Sequence, residues 1–265
     1  MLRILIASLA LLLAAPAFAQ KTEILWLGQA GFRIKTPGGK VIVIDPWLRG
    51  GPRAPAEFKD PAKLGKVDVV LVTHGHGDHL GDAPEIAKLN KAVVYGPGDM
   101  LATLVSLGAL PAELTHRFNK SGHVTPHGLK ITAVGADHSS QVLWRNPATG
   151  NMDAYPGGEA IGFIIELENG FRIWHMGDTG MFTDMQFISE YYKPDLVMMP
   201  IGGNFTMDHS DAAWAAKTWI KPKMVIPMHY GSNPLAKGTL PGFQEAMKGS
   251  PTKVIGMNPG ETVEF

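Results

Sequence analysis

Val69-Val70-Leu71-Val72-Thr73-His74-Gly75-His76-Gly77-Asp78-His79 reads as a buried strand running straight into a cluster of metal-ligand side chains. Its first five residues form the apolar, β-branched run expected of a strand covered on both faces. The next six hold three histidines and an aspartate. Left unpaired in a core, such groups would be costly to bury. Residues two apart in an extended segment point the same way, so His74 and His76 can share one ion. A turn toward the helix predicted at Pro84–Leu89 would aim Asp78 and His79 at a second ion. Gly75 and Gly77 let the backbone bend closely around the cluster.

Working outward, the same order (hydrophobic strand, polar residue, loop) recurs three times. His138 follows Leu129–Val134, Asp178 follows Phe171–Met176, and His229 follows Met224–Met228. Open sheets collect ligands at the carboxyl ends of their strands. Further strands are predicted at Ile24–Leu27, Gly31–Lys35, Val41–Asp45, Ala92–Tyr95, Ala160–Leu167, Leu196–Pro200 and Lys253–Ile255. Helices are predicted at Met100–Leu107, Phe182–Glu190, Ser210–Ile220 and Pro241–Met247. Asp82 is the expected N-cap before Pro84, and Asp208 or Ser210 that of the helix bearing Trp214 and Trp219. Strands alternating with helices imply a layered α/β architecture. Trp47–Lys66, Ser139–Gly158 and Tyr230–Leu240 read as irregular loops.

The chain has 265 residues, with 24 Lys and Arg against 24 Asp and Glu, so no overall basic field favours nucleic acid as a partner. It has no cysteine, which excludes disulfides, thiolate ligands and lipid attachment at cysteine. Histidine and carboxylate ligands suit zinc, manganese or iron. The first residues read as a secretory signal peptide: Arg3, the apolar Ile4–Ala15, then Ala17-Phe18-Ala19, with cleavage expected between Ala19 and Gln20. Residues 20–265 would then form a single domain in the periplasm or outside the cell, free of the membrane.

His74-x-His76-x-Asp78-His79, followed by His138, Asp178 and His229, resembles the metallo-β-lactamase superfamily over essentially the whole mature chain. Val43-Ile44-Asp45-Pro46, Asn204-Phe205-Thr206-Met207 and Met228-His229-Tyr230 resemble the subgroup similar to L-ascorbate-6-phosphate lactonase. The resemblance implies a four-layer αββα sandwich with the site at the edge between its halves. It also implies two divalent ions, zinc foremost: His74, His76 and His138 on the first, Asp78, His79 and His229 on the second, Asp178 bridging. Asp45 would brace the ligand loops. His116, His123 and His127 fit no slot, and His175 is expected to face away.

The function implied is hydrolysis of a small ester, lactone or phosphoester by a metal-bridged hydroxide, with Asp78 as the catalytic carboxylate. Ser139, Asn204 and Tyr230 are candidate substrate contacts, and Trp144 and Tyr155 candidate lid residues. Asp208 and His209 read as helix capping. The alternatives are a true β-lactamase, a nuclease of the tRNA-processing type, and a non-hydrolytic metal-binding or redox di-iron protein. By the resemblance, Asp178 and the missing cysteine count against the first, while export and balanced charge count against the second. Metal identity, substrate and oligomeric state stay open at this level.

Overall fold

The computed structural model describes residues 21–265, so the expected leader lies outside the described residues. Strands β1 (Glu23–Gly28), β2 (Gly31–Lys35), β3 (Val41–Ile44), β4 (Val69–Leu71), β5 (Val93–Pro97) and β6 (Thr115–Phe118) lie side by side in that order. β7 (His123–Val124) and β8 (Lys130–Gly135) begin a second sheet. β9 (Gln141–Arg145) and β10 (Met152–Pro156) pair only with each other. β11 (Ile161–Glu166), β12 (Arg172–His175), β13 (Leu196–Pro200), β14 (Met224–Met228) and β15 (Lys253–Val254) complete the second sheet, and β16 (Thr262–Glu264) returns to the first beside β1.

Alternation along the strands makes the layers. Ile24, Trp26, Phe32, Ile34, Ile42, Ile44, Val69 and Leu71 share one core with Ile131, Phe163, Ile165 and Ile173 of the second sheet. Leu25, Leu27, Val41, Val43, Val70 and Val72 point to the opposite face. There they meet α2 (Ala83–Asn90) and α3 (Gly98–Ser106) through Ile86, Ala87, Leu101 and Leu104. A single turn, α1 (Gly77–Leu80), precedes α2. On the second sheet, α4 (Asp184–Tyr192), α5 (His209–Ala215, continued by a π-turn to Ile220) and α6 (Leu240–Ala246) bury Met185, Ile188, Ala212, Ala216 and Phe243. The result is the four-layer αββα sandwich. Both faces of each central strand are covered, which explains the unbroken Val/Ile/Leu runs.

Strand direction places the site. β3, β4, β5 and β6 run parallel, as do β12, β13 and β14. β8 and β12 both pair antiparallel with β11, so they share a direction. The carboxyl ends of β3, β4, β8, β12, β13 and β14 therefore open to one edge. Bonds between the halves close it: Ile161 N–H to Thr73 O at 3.1 Å, His229 N–H to Gln29 O at 3.0 Å, and His175 Nε2 to Ala30 O at 2.9 Å.

Two local expectations are corrected and the two helix caps are specified. Ser139–Gly158 is not an irregular loop: Gln141–Arg145 pairs with Met152–Pro156, and Asn146 accepts from Gly150 N–H at 2.8 Å in the turn. Its alternating burial was hidden by the flanking Gly, Pro and Ser. Trp47–Lys66 contains two 3-10 turns, Ala56–Lys59 and Pro61–Leu64. Asp82 is the N-cap residue of α2 with Pro84 in the first turn, as expected, but its carboxylate makes no capping bond and instead accepts from Leu48 N–H at 2.7 Å and Arg49 N–H at 3.1 Å. Asp208 does cap α5, accepting from Ser210 N–H and Asp211 N–H at 2.7 and 2.9 Å.

Candidate metal centre

The seven side chains expected to be ligands converge in two groups. His74, His76 and His138 form one; Asp78, His79, Asp178 and His229 form the other. In the first, His74 Nε2 and His138 Nε2 lie 3.0 and 3.2 Å from His76 Nδ1. Nitrogens bound tetrahedrally to one zinc ion stand about 3.3 Å apart, close to this spacing. In the second, Asp178 Oδ2 lies 3.0 Å from His229 Nε2, and Asp178 Oδ1 lies 3.2 Å from His79 Nε2. Asp178 Oδ2 is also 3.7 Å from His138 Nε2, so one carboxylate faces both groups. His79 Nε2 and Asp178 Oδ1 are buried and, though 3.2 Å apart, make no well-directed hydrogen bond. Buried polar atoms are rarely left orphaned. A cation between the groups would satisfy both, so the residues fit a metal.

The outer nitrogens are fixed from behind. Asp45, after β3, accepts from Thr73 N–H at 2.8 Å and from Thr73 Oγ1 at 2.7 Å, and lies 2.8 Å from His79 Nδ1. Thr73 Oγ1 in turn lies 3.1 Å from His74 Nδ1. These partners leave Nε2 of both rings facing the centre, the orientation that ligand support requires. Asp45 is thus placed for the bracing expected of it. It reaches this pose with φ +44°, and His229 sits at φ +57°, a region that costs non-glycine residues strain. Gly202 permits the second, because a Cβ there would collide with His229 O.

Electrostatics separates the groups. Burial, then the charge of His79, holds His74 well below the usual histidine value. Burial also lowers His76 and His138. All three present neutral lone pairs. For His229, burial opposes the charge, but Asp178 and Asp78 outweigh it and raise the pKa to about 9. His79 rises well above its usual value in the same way, through Asp178, Asp45 and Asp78. Burial pushes the Asp178 carboxyl up, yet His229 and His79 hold it well below the carboxylate range. Protons on His79 and His229 thus take the place a metal cation would fill.

A cavity of about 490 Å³ opens over both groups. Ser139 lines it, whereas Asn204 does not; its neighbour Phe205 does. Tyr230 is turned away from the cavity: its hydroxyl donates to Met257 O at 3.4 Å, and its ring packs at a tilt 5.4 Å from Trp26. Trp144 and Tyr155 pack on the first-sheet core and line no part of this cavity. His116, His123 and His127 stand outside both groups, and His175 bonds Ala30 O instead. The sequence reading missed Gln29, at the tip between β1 and β2, whose Nε2 donates to Asp78 Oδ2 at 2.9 Å and lies 2.8 Å from His229 Nε2. The only signal was a polar residue among glycines, in Gly28-Gln29-Ala30-Gly31. It also missed Trp47, Ser232 and Asn233, which line the cavity from loops read only as irregular.

Comparison with known proteins agrees with this architecture. A family model described as a beta-lactamase superfamily domain matches residues 23–229. A "UPF0173 metal-dependent hydrolase" of Polynucleobacter asymbioticus is 66% identical over 247 residues, covering 92% of this chain and 87% of the relative. One from a Polaromonas species is 60% identical over 270 residues, covering 100% and 99%. Among solved structures, Igni18, described as a novel metallo hydrolase of Ignicoccus hospitalis, superposes with a TM-score of 0.79 at 33% identity, covering 92% of this chain and 98% of that one. With fold, ligand clusters and relatives in agreement, the chain belongs to the metallo-β-lactamase superfamily, among its UPF0173 metal-dependent hydrolases.

Proposed function

We propose that this metal-dependent hydrolase is exported and holds two divalent ions, zinc foremost, to cleave a small ester, lactone or phosphoester. The observation that carries the reading is Asp178, whose carboxylate faces His138 on one side and His79 and His229 on the other. His74, His76 and His138 would hold one ion, Asp78, His79 and His229 the second, and Asp178 both. Ions there would lower the pKa of water enough to give a nucleophile near neutrality, and would draw charge from a developing anionic oxygen.

The chain's own residues do the rest. His74 and His79 are fully buried, so they anchor the centre from below. Asp78 is 29% exposed and lines the cavity. It is the catalytic carboxylate: it would orient the attacking nucleophile. Gln29 holds Asp78 Oδ2 in place for that task. Asp78→Ala should lower turnover by at least about a thousandfold while leaving the melting temperature of the loaded protein within a few degrees. Turnover near wild type would sink the assignment.

The leader sequence supports export, which N-terminal sequencing of the periplasmic fraction tests; a first residue of Gln20 is expected. Nitrocefin turnover would favour a β-lactamase instead, and a di-iron absorption spectrum a redox protein.

A further inference from the structure

The cavity over the metal groups is lined by eleven residues, of which five (His76, Asp78, His138, Asp178 and His229) belong to those groups. The other six are Gln29, Trp47, Ser139, Phe205, Ser232 and Asn233, and none carries a charge. Among the described residues no lysine or arginine lines this cavity. Arg53, near the loop carrying Ser232, is already engaged: its guanidinium stacks over Trp26 and Tyr230 at 5.2 Å and donates to Tyr230 O at 2.9 Å.

Two of the six are aromatic, one from each half of the sandwich. Trp47 follows β3 and is braced by its own loop, since a Cβ at Gly50 would lie 2.5 Å from its Nε1. Phe205 follows β13 at the tip of a turn closed by Gly203 N–H to Met207 O at 3.0 Å. It stays 46% exposed, a large apolar surface offered at the cavity. Among the polar groups, Gln29 Nε2 is engaged with Asp78 and His229. Asn233 uses Oδ1 to accept from Leu235 N–H at 2.9 Å, leaving its amide hydrogens for another acceptor.

The geometry points to an uncharged carboxylic ester, open or cyclic, whose apolar or aromatic substituent rests on Trp47 and Phe205. This rests on the hydrolase reading and narrows it. A phosphate or carboxylate away from the reacting carbon would lose its hydration against aromatic rings with no cation to replace it. Asn233 supplies donors to a neutral ester oxygen. In the reaction the water oxygen bonds to the acyl carbon and the bond from that carbon to the alcohol oxygen breaks. The bonding pair stays on the leaving oxygen, which takes up a proton; acid and alcohol are the products.

The test uses metal-loaded protein and two esters with one leaving group, 4-nitrophenyl phenylacetate and 4-nitrophenyl hemiglutarate. The neutral aryl ester should be preferred about tenfold or more in kcat/KM. Phe205→Ala should bring that ratio to about twofold, through a higher KM for the phenylacetate; Trp47→Phe, which keeps an aromatic wall, should retain most of it. Equal or reversed preference in the wild type, or an unchanged ratio in Phe205→Ala, overturns the proposal. Calorimetry with phenylacetanilide and glutaranilic acid, the matching uncleaved amides, separates binding from chemistry. If neither ester is cleaved but the neutral amide binds more tightly and Phe205→Ala weakens it, the specificity stands and the carboxylic-ester cleavage reading fails. If the neutral amide has no advantage, the specificity falls.

Discussion

Asp45 shows how much of the centre depends on a residue that touches no ion. Its two oxygens hold Thr73 and His79, and Thr73 passes the constraint to His74. One carboxylate thus orients a ligand in each group. Asp45→Asn should weaken metal affinity by about ten- to a hundredfold, read by chelator competition. Affinity equal to wild type would show that Thr73 alone suffices. His229 gives a second residue-level expectation. Its pKa in the metal-free fold is raised from 6.5 to about 9, so the stabilisation is complete below about pH 6.5 and is lost as pH rises through about 9. The metal-free protein should melt progressively lower from pH 7 to 10, and His229→Gln should reduce that slope, leaving the part that His79 contributes. A slope left unchanged by the substitution would place the titration elsewhere.

At the scale of elements, the ends of β13 and β14 meet where only glycine fits. Gly202→Val would drive a side chain into His229 O and push apart the loops that carry His229 and Phe205. The melting temperature should fall by about 5–10 °C, with metal affinity falling too; an unaffected melt would mean that the loop yields freely. Elements also mark where sequence reading stops. β4 and the ligands after it were legible because a buried strand needs an unbroken apolar run, and because three histidines crowded at its end would repel one another if protonated and, with the aspartate, would be costly to bury unpaired. β9 and β10 were not: their period of two spans only five residues each, half exposed, beside Pro and Gly. β6, β7 and β16 are short strands with partly exposed residues and carry no pattern stronger than a loop. Gln29, Trp47 and Phe205 reach the site by chain reversal, so neither spacing nor periodicity marks them. Tyr230 shows the converse: adjacency to His229 suggested a role, but the αL turn at His229 sends its neighbour into the core.

The whole molecule is two half-sandwiches whose shared core holds the two ligand groups in register. Phe163 lies at its middle, fully buried, on the strand whose neighbours β8 and β12 lead to His138 and Asp178. Phe163→Ala should cost about 3–5 kcal/mol and lower the melting temperature by about 10 °C. Metal should restore part of the loss, because ligands that bind only the folded state stabilise it; destabilisation that metal cannot offset would uncouple core from centre. The central claim concerns the centre itself: one carboxylate, Asp178, joins two ligand groups into a single hydrolytic site. The most direct measurement is titration of the metal-free protein with zinc, following metal bound per chain by native mass spectrometry and ester hydrolysis in parallel. We expect no activity without metal, a plateau of binding and turnover at two ions per chain, and loss of the two-ion state in Asp178→Ala. Full turnover at one ion per chain, or two ions retained in Asp178→Ala, would contradict the account.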